Sequence, residues 1–342
     1  MADNSVSVII LNWNTKEMLK QYLPPVINNS NHPEASVVVA DNGSTDGSSA
    51  MLQQQFPEVK LIQFDRNYGF AGGYNRALQQ TTSKYTVLLN SDVVPASEWL
   101  GPLIETMNSN DKIAACVPKI MNLNNQTMFE YAGAAGGFID KYGYPFCRGR
   151  IFDHIEEDQG QYDTPCNIFW GSGAALMVRT ELFNNSDGLD EDFFAHMEEI
   201  DWCWRMKNQG KIIKYVPQSK IFHLGGGTLN AMSPQKTFLN FRNNLYMLYR
   251  NLPDSELRTT LFRRLILDAV AAFRFLMAGE WHNFTAVFKS HKTYFKNLSN
   301  LRNQRKKLKA RVVKNNHPEI YPRSLVLDYF LKKRKRFSDL IW

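Results

Sequence analysis

Three near-continuous apolar runs, Val6 to Leu11, Val37 to Ala40 and Tyr85 to Leu89, limit what this chain can fold into more than any other feature. A strand with one wet face alternates apolar and polar residues, whereas a run that is apolar throughout is covered on both faces, as in a parallel sheet flanked by helices. Helical stretches fall between the runs, at Thr15 to Ile27, Gly47 to Gln55 and Ala71 to Thr81. This β-α-β-α order is that of a doubly wound α/β sheet. Ligands of such sheets bind beyond the carboxyl ends of the strands, where Asn12, Asp41 and Asp92 sit. Three polar strand ends are therefore expected to meet at one crevice.

The texture changes after Asp92. Residues 120 to 165 are rich in Asn, Gly, Tyr and acidic side chains without clear periodicity, and are expected to form an excursion over the site. A second ordered block begins with Trp170-Gly171-Ser172-Gly173-Ala174 and continues as a strand. Residues 236 to 312 read mostly as helices, with Leu261, Leu265, Ala269, Phe273 and Met277 at helical spacing among basic residues. The sequence shows no internal repeat.

Charge divides the chain unevenly. Residues 1 to 230 hold 17 Lys and Arg against 26 Asp and Glu, and residues 231 to 342 hold 23 against 7. A partner argued from basicity must therefore meet the second part. Met1-Ala2-Asp3-Asn4 leads into the first apolar run without a basic segment followed by an apolar one, so a cytoplasmic start is expected. Cys116, Cys147, Cys166 and Cys203 show no C-x-x-C spacing and suit reduced, mostly buried thiols. The best candidate for a membrane span, around 257 to 278, is interrupted by Arg263, Arg264, Asp268 and Arg274, so membrane contact would be peripheral.

Two acidic signatures bracket the middle of the chain: the strand end Asn90-Ser91-Asp92, and the run Glu198-Glu199-Ile200-Asp201-Trp202-Cys203-Trp204-Arg205. They stand with the opening Ser5 to Asn12 and with the loops Asp41-Asn42-Gly43-Ser44-Thr45-Asp46 and Arg66-Asn67-Tyr68-Gly69-Phe70-Ala71-Gly72-Gly73-Tyr74-Asn75. Together these resemble the inverting nucleotide-sugar glycosyltransferases of family 2, which have the GT-A fold: a Rossmann-like, mostly parallel sheet flanked by helices. Within that family the likeness is nearest to the rhamnosyltransferases that build bacterial surface polysaccharides. It covers about two thirds of the chain, since nothing after residue 230 matches a family motif. The expected division is a transferase domain over 1–236 and a basic helical region over 237–342, and a chain cut there is expected to keep slow donor turnover.

The resemblance implies a site. Transfer from a nucleotide sugar releases a diphosphate whose growing charge a divalent ion, Mn²⁺ or Mg²⁺, neutralises. Asp92 is the expected metal ligand; Asn90 replaces the first Asp of the family's triplet, and a strand-capping Asx turn is the alternative reading. His223, after a short apolar strand, is the expected partner ligand, with Leu224-Gly225-Gly226-Gly227-Thr228 as a loop able to close over phosphate; a lone structural histidine is the alternative. Glu198-Glu199 resembles the family's Glu-Asp pair, with Glu in place of the Asp, and since the second member is the base, Glu199 is expected to take the acceptor's proton, with a solvated acidic helix start as the alternative. On the helix that follows, Asp201 and Arg205 are spaced for an ion pair.

Donor contacts are expected from Asn12, Asp41, Asn42, Arg66, Asn67, Gly69, Gly72, Asn75, Asn90 and Ser91. The N3–H and O4 of a uridine or thymidine ask for an acceptor beside a donor, which Asp41 and Arg66 can provide. The segment Trp170, Gly171 and Ser172 corresponds to the acceptor side, where Trp170 either stacks on a sugar or belongs to the core. The G-x-x-G-G spacing after Phe64-Asp65-Arg66 does not fit a dinucleotide fold. A sugar-nucleotide pyrophosphorylase would need a glycine-rich basic loop after the first strand, which Asn12-Trp13-Asn14-Thr15 is not. The partners expected are a nucleotide sugar, a glycan or glycolipid acceptor, and an anionic membrane surface under the basic region, which serves otherwise as a packing or homodimer element; nucleic acid is not expected.

Overall fold

The computed structural model describes residues 5–225 and 233–342. The first part runs β1 (Val6–Asn12), α1 (Lys16–Asn29), β2 (Ala35–Asp41), α2 (Ser48–Gln55), β3 (Lys60–Gln63), α3 (Gly69–Gln79) and β4 (Tyr85–Leu89). All three apolar runs are strands. β1 lies between β2 and β4, parallel to both, in a register that sets Asn12 beside Asp41 and Ile10 beside Leu89. The strand ends are therefore level, and the chain leaving β4 delivers Asn90 to Asp92 to the same edge.

Successive strand residues serve opposite faces. Ile9, Val38 and Leu88 pack in one apolar cluster with Tyr74, Ala77 and Trp202, while Val8, Ile10, Val39 and Leu89 pack in another with Leu19, Leu23, Met51 and Leu103. Covering both faces is what made the runs apolar throughout. At Gly73 a Cβ would lie 2.7 Å from the Leu11 side chain, so glycine there sets how closely α3 approaches β1.

The chain continues as β5 (Val93–Pro95), α4 (Leu100–Ser109), β6 (Ile113–Asn122), β7 (Gly137–Asp140), β8 (Pro145–Cys147), β9 (Arg150–Ile151), β10 (His154–Ile155), β11 (Cys166–Ile168), β12 (Ala175–Arg179), α5 (Thr180–Asn185), α6 (Glu198–Asn208) and β13 (Ile212–His223). In the main sheet the order is β11-β13-β6-β12-β4-β1-β2-β3, with β5 also on β13. β12 runs antiparallel between β4 and β6, so the parallel part is interrupted and the sheet is mixed.

The remainder comprises α7 (Pro234–Asn251), α8 (Asp254–Met277), α9 (Trp281–Lys296), α10 (Leu298–Lys309), β14 (Ile320–Tyr321) and α11 (Leu325–Phe330). The helices expected over 236–312 are present. Ser233 caps α7 by accepting from the Lys236 amide at 3.2 Å, and Pro234 fills the first turn.

Strands within residues 137–155, together with β14, form a second, small sheet in the order β10-β9-β8-β7-β14. Its strands are two to four residues long and turn through glycines with positive φ, Gly143 at 77° and Gly149 at 90°, which is why no periodicity marks them in the sequence. β14 joins β7 in parallel, and the Trp342 ring packs on Phe138 and Tyr321 with centroids 5.5 and 5.4 Å away. The boundary expected at 236/237 thus separates segments that share a sheet and an aromatic cluster. All four cysteines are free thiols, three of them buried and Cys166 half-buried.

Candidate active site

Strand pairing builds one corner of the crevice. β5 runs antiparallel to β13 with His223 opposite Val93, which sets the His223 ring against the preceding residue, Asp92. His223 Nε2 lies 3.1 Å from Asp92 Oδ1 and 3.4 Å from Asn90 Nδ2, and its Nδ1 lies 3.5 Å from Glu130 Oε2. All three of Asp92, Glu130 and His223 are buried. Glu130 arrives because Phe129 bridges Met121 of β6. Burial alone pushes the His223 imidazole down, but the Asp92 and Glu130 carboxylates outweigh it and raise it to about 10.

A divalent ion fits this corner by taking the place of the proton that the two carboxylates hold on the imidazole. Donor atoms 3.1 Å apart suit adjacent positions on a cation with bonds of about 2.1 Å, and Glu130 behind the ring suits the carboxylate that fixes the tautomer of a metal-bound histidine. Among the described residues no three His, Cys, Asp or Glu side chains form a closed cage. Two protein ligands leave positions for diphosphate oxygens. Leu224 and Gly225 follow; the Leu224 amide donates to the Asp92 carbonyl at 3.0 Å. Gly226, Gly227 and Thr228 lie outside the described residues.

At the other end of the strand row the side chains bond to one another. Asn12 is buried, with Nδ2 2.8 Å from Asp41 Oδ1, 3.0 Å from Ser44 Oγ and 2.9 Å from Ser48 Oγ. Asp41 also accepts from the Ser44 hydroxyl and amide and from Ser49 Oγ at 2.7 Å. A carboxylate offers about four acceptor sites, so Asp41 holds the 42–49 loop rather than presenting a free acceptor to a base. Asn12 likewise is a strut.

Asn42 ties the two donor-side loops together, donating to Asn67 Oδ1 and to the Gly69 carbonyl at 3.0 Å each and accepting from the Tyr68 amide at 3.0 Å. A Cβ on Gly43 would strike the Arg66 backbone at 2.5 Å, so Arg66 borders the Asp41 loop with its guanidinium exposed. Two expected donor contacts face elsewhere. Both amide atoms of Asn75 are taken by Leu189, whose carbonyl accepts at 2.7 Å and whose N–H donates at 2.8 Å. Gly72 faces Arg76, Tyr68 and Glu191.

The block after β11 joins the two ends. Asn90 N–H donates to the Ala174 carbonyl at 3.1 Å, and Gly173 abuts the Phe70 ring. Of the two readings of Trp170 the structure takes the core: the ring is buried against Gly137, and its N–H donates to the Phe138 carbonyl at 2.9 Å. Gly171 is walled by Val117 and Leu176, and Ser172 is buried with Oγ 3.2 Å from the Ala174 amide.

Glu198 and Glu199 open α6, reached through a loop in which Phe194, His196 and Met197 all take left-handed φ, at 65°, 69° and 74°. Such angles are costly for residues with a Cβ and persist where surroundings enforce them. One carboxylate oxygen of each glutamate is enclosed with no hydrogen-bond partner among the described residues. Burial, then the charge of Glu199, pushes Glu198 well up; burial pushes Glu199 up to about 7. Asp201 and Arg205 make the expected ion pair at 2.8 Å, extended by Arg250 at 3.4 Å, and Trp202, Cys203 and Trp204 are packing residues.

The family model of glycosyl transferase family 2 matches residues 7–180, from β1 through β12, which takes in Asp92 and Glu130 and ends before Glu198, Glu199 and His223. The chain belongs to glycosyl transferase family 2. This family 2 chain is 25% identical over 243 residues to an N-acetylglucosaminyl-diphospho-decaprenol L-rhamnosyltransferase of Mycobacterium tuberculosis, covering 63% of this chain and 75% of the relative. It is 24% identical over 267 residues to the dTDP-rhamnosyl transferase RfbF of Shigella flexneri, covering 73% and 81%. The crystal structure of GalNAc-T7 with UDP, GalNAc and Mn²⁺ superposes with a TM-score of 0.57 at 17% identity, over 72% of this chain and about half, 48%, of the other, a likeness of GT-A fold.

Sequence reasoning missed three residues at this site. Glu130 lies in the stretch without periodicity. His196, whose Nε2 is enclosed without a partner among the described residues, is pushed down to about 4 by burial and by Lys236. Asn243 lies on α7, beyond the family motifs, and bonds to the loop before Glu198. Its direct neighbour Arg242 also donates to that loop, at the Phe193 carbonyl 3.0 Å away.

Proposed function

We propose that this family 2 transferase is an inverting, metal-dependent enzyme that moves a sugar of the rhamnose type from a uridine or thymidine diphosphate onto a glycan or lipid-linked glycan in cell-surface polysaccharide synthesis. What carries this reading is a pair of unusual acidic groups: Asp92 beside His223, backed by Glu130, at the strand ends, and Glu198 and Glu199 at the start of α6, each with one enclosed carboxylate oxygen that has no partner among the described residues, on a loop whose Phe194 lies against Gly69 of the donor-side loop. The relatives named for a decaprenol diphosphate acceptor and for dTDP-rhamnose support the choice of substrate class.

Asp92 and His223 would hold a divalent ion, which when bound neutralises charge on the departing diphosphate. Glu199, raised to about 7, is poised to accept the acceptor hydroxyl's proton near neutral pH. Burial and the neighbouring Glu199 charge push the Glu198 carboxyl well up, so the enclosed pair disfavours carrying two charges at once. Removing the proton as the hydroxyl attacks opposite the leaving group inverts the anomeric carbon in a single displacement. Arg66, exposed beside the Asp41 loop, is left as the donor-side group free to meet a base or phosphate.

The protein is proposed to work at the cytoplasmic face of a membrane without crossing it; among the described residues no helix is long and apolar enough to span. The deciding experiment follows diphosphate release from a panel of nucleotide sugars with and without Mn²⁺. Turnover of a deoxyhexose donor that needs Mn²⁺ and vanishes in Asp92→Ala is expected. Wild-type rates in that variant would remove the metal assignment.

A further inference from the structure

Helix α8 is turned inside out for a helix in water. Its buried residues are Thr260, Arg264, Asp268 and Ala272, spaced by four and so on one face. Arg264 donates from Nε to Asp268 at 2.6 Å, from Nη1 to the Tyr142 carbonyl at 3.2 Å, and also to Asn244, while His291 of α9 closes the network 3.1 Å from Asp268. This polar face fixes the helix against the protein and prevents it from rolling. Outward point Phe262, Ile266, Val270, Phe273 and Met277, each between 50% and 73% exposed. At 100° per residue they occupy an arc of about 80°.

The stripe continues onto α9. Trp281, Phe288 and Phe295 are exposed, and the rings of Trp281, Phe284 and Phe288 follow one another at 5.1 and 4.9 Å. Exposed Arg258, Arg263, Arg274, Lys289, Lys292 and Lys296 accompany it. Between residues 257 and 300 the acidic side chains are Asp268, buried, and Glu280, which accepts from Asn283 at 2.6 Å. An apolar arc with basic company and almost no exposed acid is the composition of a helix that lies in a membrane interface, apolar side chains among acyl chains and Lys and Arg stems reaching to headgroups.

We propose that the outer faces of α8 and α9 lie flat on an anionic lipid bilayer and dock the enzyme beside its acceptor. The proposal deepens the reading of the acceptor as lipid-linked and rests on that reading for its purpose. Charge selects the occupant: a second copy meeting this face about a two-fold axis would set identical basic side chains against each other, whereas anionic headgroups neutralise them.

The test is co-sedimentation of the full chain with phosphatidylcholine vesicles, with and without roughly one quarter phosphatidylglycerol, against the double variant Ile266→Glu and Phe273→Glu. Both positions are exposed, so the variant should melt at the wild-type temperature and hydrolyse donor in solution at the wild-type rate. Wild type should bind the anionic vesicles, release at high salt, and bind at least about tenfold more strongly than the variant. Equal binding by the two proteins, or no vesicle binding by wild type, overturns the proposal. A concentration-dependent dimer in light scattering that the variant dissolves reassigns the face to a second copy. Absence of nucleotide release from every donor, with vesicle binding intact, would instead overturn the transferase reading and leave the docking face standing.

Discussion

Asn243 donates its side-chain amide to the carbonyl oxygen of His196 at 2.7 Å, so a residue of the basic region holds the loop that presents Glu198 and Glu199. The same Nδ2 is 2.9 and 2.8 Å from the carbonyls of Phe193 and Ala195. Left-handed φ at Phe194, His196 and Met197 costs about 1 to 3 kcal/mol each, and the amide is one of the contacts that keeps the loop there. The helix carrying the base therefore starts where Asn243 allows it to start.

Asn243→Ala is expected to lower kcat for transfer by about 10- to 100-fold with donor KM little changed, because an ångström of misplacement suffices for losses of that order. Stability should fall by about 1 to 3 kcal/mol through the unpaired carbonyls. Transfer kinetics measured well below the variant's melting temperature separate the two effects. Wild-type kcat in a destabilised variant would make Asn243 a packing residue only.

Cutting the chain at 236 gives a broader form of the same result. The deletion removes Asn243, Arg250 and β14, so the slow donor turnover expected from sequence should be absent, and the fragment should fail to fold cooperatively. A soluble fragment that still releases diphosphate would show that residues 5–225 hold the loop unaided.

Glu130→Gln keeps shape and removes the charge behind His223. Its expected effect is a loss of about 10- to 100-fold in Mn²⁺ affinity, read by electron paramagnetic resonance of free Mn²⁺, without a change of fold. Unchanged affinity would show that the 3.5 Å contact with Nδ1 does not orient the ring.

The place of Asp92 at the crevice edge was legible because burial on both faces forces an apolar run, and whatever polar residue ends it must face the crevice; the place of His223 beside it followed from the strand before it. The place of Glu130 was not, since it is set by backbone bonds of the irregular 123–136 stretch to β6, such as its own N–H to the Ile120 carbonyl at 3.0 Å, which leave no side-chain period. Asn75 was misplaced because its partner, Leu189, is 114 residues away and is a backbone group, which leaves no mark in a pattern of side chains. The α8 stripe was legible as a membrane-facing or packing element, but not which of its residues point outward. Leu261 and Leu265 are half-buried whereas Phe273 and Met277 are exposed, because the Arg264 and Asp268 pair occupies the inner face.

The glutamate pair should make stability and activity respond oppositely to pH. Burial raises Glu199 from an ordinary 4.5 to about 7, and burial with the Glu199 charge also pushes Glu198 well up. A carboxyl raised in this way binds its proton more tightly folded than unfolded. Its stabilising contribution is therefore complete below about 4.5 and is lost as pH rises through about 7. Wild type should melt lower at pH 8 than at pH 5 relative to the Glu198→Gln, Glu199→Gln double variant, in which neither side chain titrates. Transfer needs the ionised base, so the wild-type rate should climb with pH to a plateau above about 7. Glu199→Gln should reduce transfer by about 10² to 10⁴ and flatten that rise, with donor affinity little changed. Glu198→Gln should retain the rise, because it leaves the base at Glu199 in place and substitutes a neutral amide of the same size beside it. A dead Glu198→Gln beside an active Glu199→Gln would reverse the assignment and make the first carboxylate of α6 the base.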